Sequence, residues 1–174
     1  MNYCDFSSSR PEGDVHRVYH DYHYGTPIHD DDELFGRLIM EINQAGLSWE
    51  LILKKEQAFR VAYDQFKIEV VAAYNEEKIA TLLEDKGIIR NKLKVRAAVN
   101  NAQRLLQLKQ EYGSFKQWLD ENSLKSLDEW TKLFKKTFTF VGGEIVNEFL
   151  MSTGYLPGAH HENCSRYKEL ERIK

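Results

Sequence analysis

No stretch of the sequence approaches the ~20 consecutive apolar residues that a membrane-crossing helix needs, so helical membrane spans are excluded. The opening Met1-Asn2-Tyr3-Cys4-Asp5 lacks the basic and apolar segments of a secretory signal. A soluble, cytoplasmic protein with no membrane partner is therefore expected. Proline is scarce, at 3 residues, and glycine stops at 10, which excludes collagen-like and low-complexity chains. Cysteine is limited to Cys4 and Cys164, far too little for a disulfide scaffold. In a secreted protein the two would form one disulfide; in a reducing compartment they would be free thiols or metal ligands. Between residues 86 and 110 there is no aspartate or glutamate at all.

What is present favours helices. With 174 residues, 42% of them hydrophobic, the chain can bury one core, as a single domain or as two lobes sharing an interface. Asp30-Asp31-Asp32-Glu33 offers N-cap and first-turn acids, and Leu34, Phe35, Leu38, Ile39 and Ile42 follow at helical spacing. Gly46 breaks that pattern, and Ser48 can cap a following helix that buries Leu51, Ile52, Phe59, Ala62 and Tyr63. Short helices are expected at 68–74 and 76–84, and a long one from Asn91 to Tyr112. Ser114 can cap a helix with Phe115, Trp118 and Leu119; further helices are expected over Leu127–Lys136 and Val141–Ser152. Gly154 and Pro157 end the last of these, and the charged tail after Cys164 is expected to fray. Phe138-Thr139-Phe140 is the best candidate for a short strand. The fold class is all-α.

The net charge of −3 hides an asymmetry. Residues 1–44 carry nine acidic and three basic side chains, whereas residues 86–110 carry Lys86, Arg90, Lys92, Lys94, Arg96, Arg104 and Lys109 unopposed. Such a stretch is either a face for a polyanion or a solvated basic helix. Within it, Gly87-Ile88-Ile89-Arg90-Asn91-Lys92 joins two expected helices. A short glycine turn there can direct backbone N–H groups at phosphate, although a plain inter-helix turn has the same composition.

Glu41 shares a helix face with Leu34 and Leu38 and falls at the edge of the apolar stripe. Either its carboxylate reaches water, or it lines a pocket and accepts hydrogen bonds from a ligand. The turn just beyond it, Gln44-Ala45-Gly46-Leu47-Ser48-Trp49, carries an amide, a flexible glycine, an apolar tip and an indole. Leu47 and Trp49 either point into the core or enter a DNA stack and pack on a base. The N-terminal segment adds Tyr3, Phe6, His16, Tyr19, His20, Tyr22, His23 and Tyr24. Aromatic rings beside a buried carboxylate suit a flat, positively charged ligand. His160 and Cys164, at i and i+4, would reach one ion from one helical turn, with Cys4 and His20 able to complete a tetrahedral zinc site; His161, His16 and His23 are rival ligands.

Tyr19-His20-Asp21, Leu34-Phe35, Glu41 with Gln44-Ala45-Gly46-Leu47-Ser48-Trp49, Leu53-Lys54-Lys55, Gly87-Ile88-Ile89-Arg90, Lys94, Phe138 with Phe140-Val141-Gly142, and His160 with Cys164 occur in an order that resembles the bacterial 3-methyladenine DNA glycosylase I family. The resemblance runs from Cys4 to Cys164. It implies a helix-hairpin-helix DNA glycosylase fold with structural zinc on Cys4, His20, His160 and Cys164, tying the terminal segments together. It implies a single glycosylase domain over 1–174, as one body or as two lobes with the base pocket between them. Glu41 becomes the catalytic, base-recognising residue. Tyr19 and Trp49 become the stacking rings, joined by Phe6 and Tyr24, which stand where the family commonly has tryptophan. Gln44, Gly46 and Leu47 enter the DNA, and Gly87, Ile88, Arg90 and Lys92 hold its backbone. The stretch between Trp118 and Phe138 is shorter than the family's. The implied activity is monofunctional hydrolysis of the N-glycosidic bond of 3-methyladenine in double-stranded DNA, by a monomer that flips the nucleotide. Relatives with shifted lesion specificity, or a non-catalytic DNA binder, are the alternatives. Related hairpin glycosylases often carry an aspartate on the helix after the hairpin; here the first acid is Glu111, which agrees with a leaving group that departs without strong assistance.

Overall fold

A computed structural model describes residues 1–174 and contains helices only. In chain order they are α1 (Tyr3–Ser8), α2 (Val15–Tyr22), α3 (Asp31–Gln44), α4 (Trp49–Lys54), α5 (Glu56–Ala62), a 3-10 turn (Asp64–Phe66), α6 (Ile68–Ala72), α7 (Glu76–Glu84), α8 (Lys92–Tyr112), α9 (Phe115–Glu121), α10 (Leu127–Thr137), α11 (Gly143–Ser152) and α12 (Ser165–Arg172). None is long and apolar enough to cross a membrane.

Helix α3 is the hub, and the acidic run at its start explains why. Asp30 caps α3 itself, accepting from the Glu33 amide at 2.9 Å. Asp31 accepts from the amides of Phe115 and Lys116, both at 2.9 Å, at the start of α9. Asp32 accepts from the Ile68 amide at 3.0 Å, at the start of α6. Three successive carboxylates thus satisfy N–H groups that three helix ends leave unpaired. The sequence suggested service to one helix only. Along α3, Leu34, Phe35, Leu38, Ile39 and Ile42 are fully enclosed and belong to a continuous core of 35 buried residues. Gly36 admits the Phe66 ring, which would lie 2.3 Å from any Cβ at that position.

Several expectations need correction. The helix expected after Ser48 is divided at Lys55, whose ammonium is drawn to the carbonyls of Lys86 (3.1 Å) and Gly87 (3.4 Å). Helices α1 and α2 lack a long apolar period; they depend on the caps Asn2 and Asp14 and on aromatic packing. The tail beyond Cys164 forms α12 instead of fraying, because Leu170 is buried and Arg166 donates to the Thr26 hydroxyl at 2.9 Å. Phe138-Thr139-Phe140 is not a strand. The side-chain amide of buried Asn101 takes the place of a partner strand, accepting from the Thr139 N–H at 2.7 Å and donating to its carbonyl at 3.1 Å.

Candidate active site

Helix α3 carries Glu41 inward, and the turn that follows reverses the chain into α4. Lys94, on the basic helix α8, holds this turn. It is buried, and its ammonium donates to the carbonyls of Asn43 (2.9 Å) and Ala45 (2.7 Å). A cation there satisfies carbonyls that the end of α3 leaves free and opposes the negative end of its dipole. Burial pushes the Lys94 pKa down. Lys94 therefore leaves the basic surface that its position in the sequence suggested. Beyond it the turn is open: Gly46, with φ at +79°, and Leu47 are exposed, and Leu47 is 38% accessible.

Behind the turn lies a cavity of about 640 Å³. Tyr19, Tyr24, Glu41, Gln44 and Trp49 all line it. The Tyr19 and Trp49 rings are 5.3 Å apart at 65°, and those of Tyr19 and Tyr24 are 5.4 Å apart at 32°. Glu41 is 3% exposed, and its carboxylate has neither a protein hydrogen bond nor an ion-pair partner. Burial raises its pKa to about 8, opposed by the field of Arg37 and reinforced by that of Glu148. The Arg37 guanidinium is engaged elsewhere, with the Tyr19 hydroxyl (3.3 Å) and the Ser152 carbonyl (3.4 Å). With the cavity empty, Glu41 is mostly protonated at neutral pH, so its expected ionised state requires a positive charge beside it.

Phe6 is not part of the lining. It stacks on Tyr3, with ring centres 6.2 Å apart, and Tyr3 lines the cavity in its place. A further wall comes from α11, through Glu144, Ile145, Asn147 and Glu148, none of which stands out in the sequence. Their spacing of i, i+1, i+3 and i+4 places them on one helical face. That was the available signal, but only the fold turns this face toward Glu41.

Cys4, His20, His160 and Cys164 converge, with all four donor atoms within 4.8 Å of one another. His160 Nε2 donates to the Tyr24 carbonyl at 2.6 Å, leaving a lone pair on Nδ1. His20 Nδ1 pairs with the Asp21 carboxylate at 2.7 Å, leaving a lone pair on Nε2. These two bare nitrogens lie 3.2 Å apart. Three of the nitrogen–sulfur separations, Cys4 to His160 and Cys164 to both histidines, are 3.6–3.9 Å. Tetrahedral zinc with ordinary bond lengths predicts roughly 3.3 Å and 3.6 Å for such edges. Two facing lone pairs repel unless a cation lies between them, so the donor set fits a metal ion. His161 is not a member; its backbone N–H donates to Cys4 Sγ at 3.3 Å. His16 pairs with the Tyr3 hydroxyl, and His23 lies outside the cluster. The expected helical turn between His160 and Cys164 is absent, because a non-helical loop brings both to the ion site.

The hairpin between α7 and α8 is also modified in detail. The amides of Gly87 and Ile88 donate to the Asp85 carboxylate (2.8 Å) and the Asp85 carbonyl (3.4 Å). The Ile88 side chain is buried. The turn presents the exposed side chains of Arg90 and Lys92 at the N-terminus of α8, which Asn91 caps.

Comparison with known proteins accounts for the all-helical fold. The chain superimposes on the 3-methyladenine DNA glycosylase I of Staphylococcus aureus with a TM-score of 0.84 at 33% identity, covering 95% of this chain and 96% of the other. A crystal structure of a point variant of 3-methyladenine DNA glycosylase I bound to 3-methyladenine gives 0.85 at 32% identity, covering 95% and 97%. The fold is thus the all-helical one of a DNA base glycosylase. DNA-3-methyladenine glycosylase 1 of Escherichia coli is 33% identical over 96% of this chain and 97% of its own length. Residues 11–131 match the model of the methyladenine glycosylase family. The chain belongs to the methyladenine glycosylase family.

Proposed function

We propose that the chain, as a single domain of residues 1–174 acting as a monomer, excises 3-methyladenine from alkylated double-stranded DNA by hydrolysis without strand cleavage. The observation that carries this reading is Glu41: a buried, unpartnered carboxylate that faces a ring-lined cavity large enough for a nucleobase. Such a group is costly in an empty site and is stabilised by a flat cation. Adenine methylated at N3 in DNA is one. The nucleotide leaves the duplex and its base enters between Tyr19, Trp49 and Tyr24. Glu41 then ionises and accepts hydrogen bonds from the amino edge. The exposed Leu47, with Gly46 and Gln44, fills the vacated stack. Arg90 and Lys92, at the start of α8, take the backbone phosphates in a helix-hairpin-helix contact.

The bond from the sugar carbon to the base breaks, and its electron pair cancels the positive charge on the ring. The base departs neutral, so no protonated side chain is needed to assist it. Water bonds to the sugar carbon and releases a proton, leaving an abasic site. Cys4, His20, His160 and Cys164 hold zinc, which supplies a structural crosslink between α1, α2 and the segment before α12. Chromatography of bases released from methylated DNA tests the activity. Release of 3-methyladenine is expected, and its absence rejects the reading. Metal analysis of the purified protein tests the crosslink separately. About one zinc per chain is expected, with loss of zinc and a lower melting temperature in Cys4→Ser; a metal-free wild type rejects it.

A further inference from the structure

We propose that Glu148 is a specificity-determining residue that, with Glu41, makes the cavity select a positively charged purine over its neutral counterpart. This rests on the glycosylase reading and identifies a second residue that would enforce it. Glu148 stands on α11, which packs against α3, and lines the same cavity as Glu41. It is half-buried, and its only protein contact of hydrogen-bond type is a long one, 3.4 Å from the Tyr24 hydroxyl. No lysine or arginine forms an ion pair with Glu41, Glu144 or Glu148. Arg37 is the cation whose field reaches Glu41, and it is hydrogen-bonded to Tyr19 and Ser152.

The lining therefore holds a buried carboxyl group, Glu41, a half-buried one, Glu148, and an exposed third, Glu144, against one nearby cation. DNA approaches this face as a polyanion, so extra acids here weaken general DNA affinity. Their presence is explained by a ligand whose own charge compensates them. Burial raises the pKa of both Glu41 and Glu148 while the cavity is empty; the field of Glu148 adds to the rise at Glu41, and the Tyr24 hydrogen bond opposes it at Glu148. A fixed positive charge on the ring allows both to ionise, whereas a neutral purine offers no such gain.

The test uses two ligands that share one purine ring and differ in charge and in an N9 methyl group. Free 3-methyladenine is neutral at mildly alkaline pH, and its N9-methylated form, 3,9-dimethyladeninium, keeps the charge of the lesion in DNA. Equilibrium binding to wild type is expected to favour the cation. Glu148→Gln, which preserves the shape and a partner for Tyr24, is expected to weaken cation binding about tenfold and neutral binding less than about twofold. Glu148→Asp is expected to restore part of the preference, and Glu148→Ser to abolish it. An equal fall for both ligands, or an unchanged preference in Glu148→Gln, overturns the proposal. Base release from methylated DNA is measured on the same wild-type sample. If it is present while the preference survives Glu148→Gln, this inference alone fails; if it is absent, the glycosylase reading fails as well.

Discussion

At its N-terminal end, α3 carries Asp30, Asp31 and Asp32, and every one of these carboxylates meets a backbone amide at 2.9–3.0 Å. Three turns later the same helix carries Glu41, which has no protein partner at all. The first group fixes the entry of three helices, and its energy is spent within the fold. Glu41 is costly in the empty protein, and in the proposed function a positively charged ligand offsets that cost. One helix thus separates carboxylates that build the structure from one left unpartnered at a cavity, and the difference lies in what surrounds them.

Glu41→Gln breaks this contrast most sharply. Release of 3-methyladenine is expected to fall about 100-fold or more, the scale for loss of an electrostatic contact in a closed site, as read by chromatography. In wild type, kcat/KM for the cationic lesion is expected to rise with pH and level off above about 8, as Glu41 ionises; in Glu41→Gln that rise disappears. Stability moves the other way. The folded pKa of about 8 lies above the ordinary 4.5, so the charged form is disfavoured by folding. The cost is absent below about 4.5, grows between about 4.5 and about 8, and then stays constant. Denaturation of wild type and Glu41→Gln across that range should show their gap shift by on the order of 4 kcal/mol in favour of the variant. A gap that does not change with pH contradicts the buried, unpartnered state.

Asp31→Ala probes the opposite end. Losing a carboxylate that serves two amides of α9 is expected to cost about 2 to 3 kcal/mol in denaturant unfolding, with base release per folded molecule unchanged. A parallel loss of activity would mean that the two ends of α3 are not separable. The smallest effect is expected at Lys94→Met, which keeps the stem and leaves the carbonyls of Asn43 and Ala45 without their cation. A loss of about 2 kcal/mol is expected, with weaker binding of lesion-containing DNA as the turn loosens. Unchanged stability would show that the turn holds itself.

Much of the site could be read locally. Glu41 and the turn to Trp49 are a few residues apart, and helical spacing alone orients the glutamate toward the apolar stripe. Phe6 and Tyr3 show the limit of this. Both are N-terminal aromatics one helical turn apart, and only packing put Tyr3 on the cavity and Phe6 behind it. Glu148 does not stand out in the sequence because its face becomes a wall only when α11 packs against α3. Lys94 was read as surface charge because sequence spacing cannot show that a lysine on α8 meets the end of α3.

The sequence by itself determined the helical class, the long helices with their caps, and the pairing of a glutamate with an indole across one short turn, since these follow from periodicity and near-neighbour geometry. Tertiary structure decided which acids are satisfied, which rings line the cavity, and that His20 and His160 present facing lone pairs between Cys4 and Cys164. Those outcomes depend on contacts between residues distant in the chain, where hydrogen-bond partners and solvent access are set only once the core has closed.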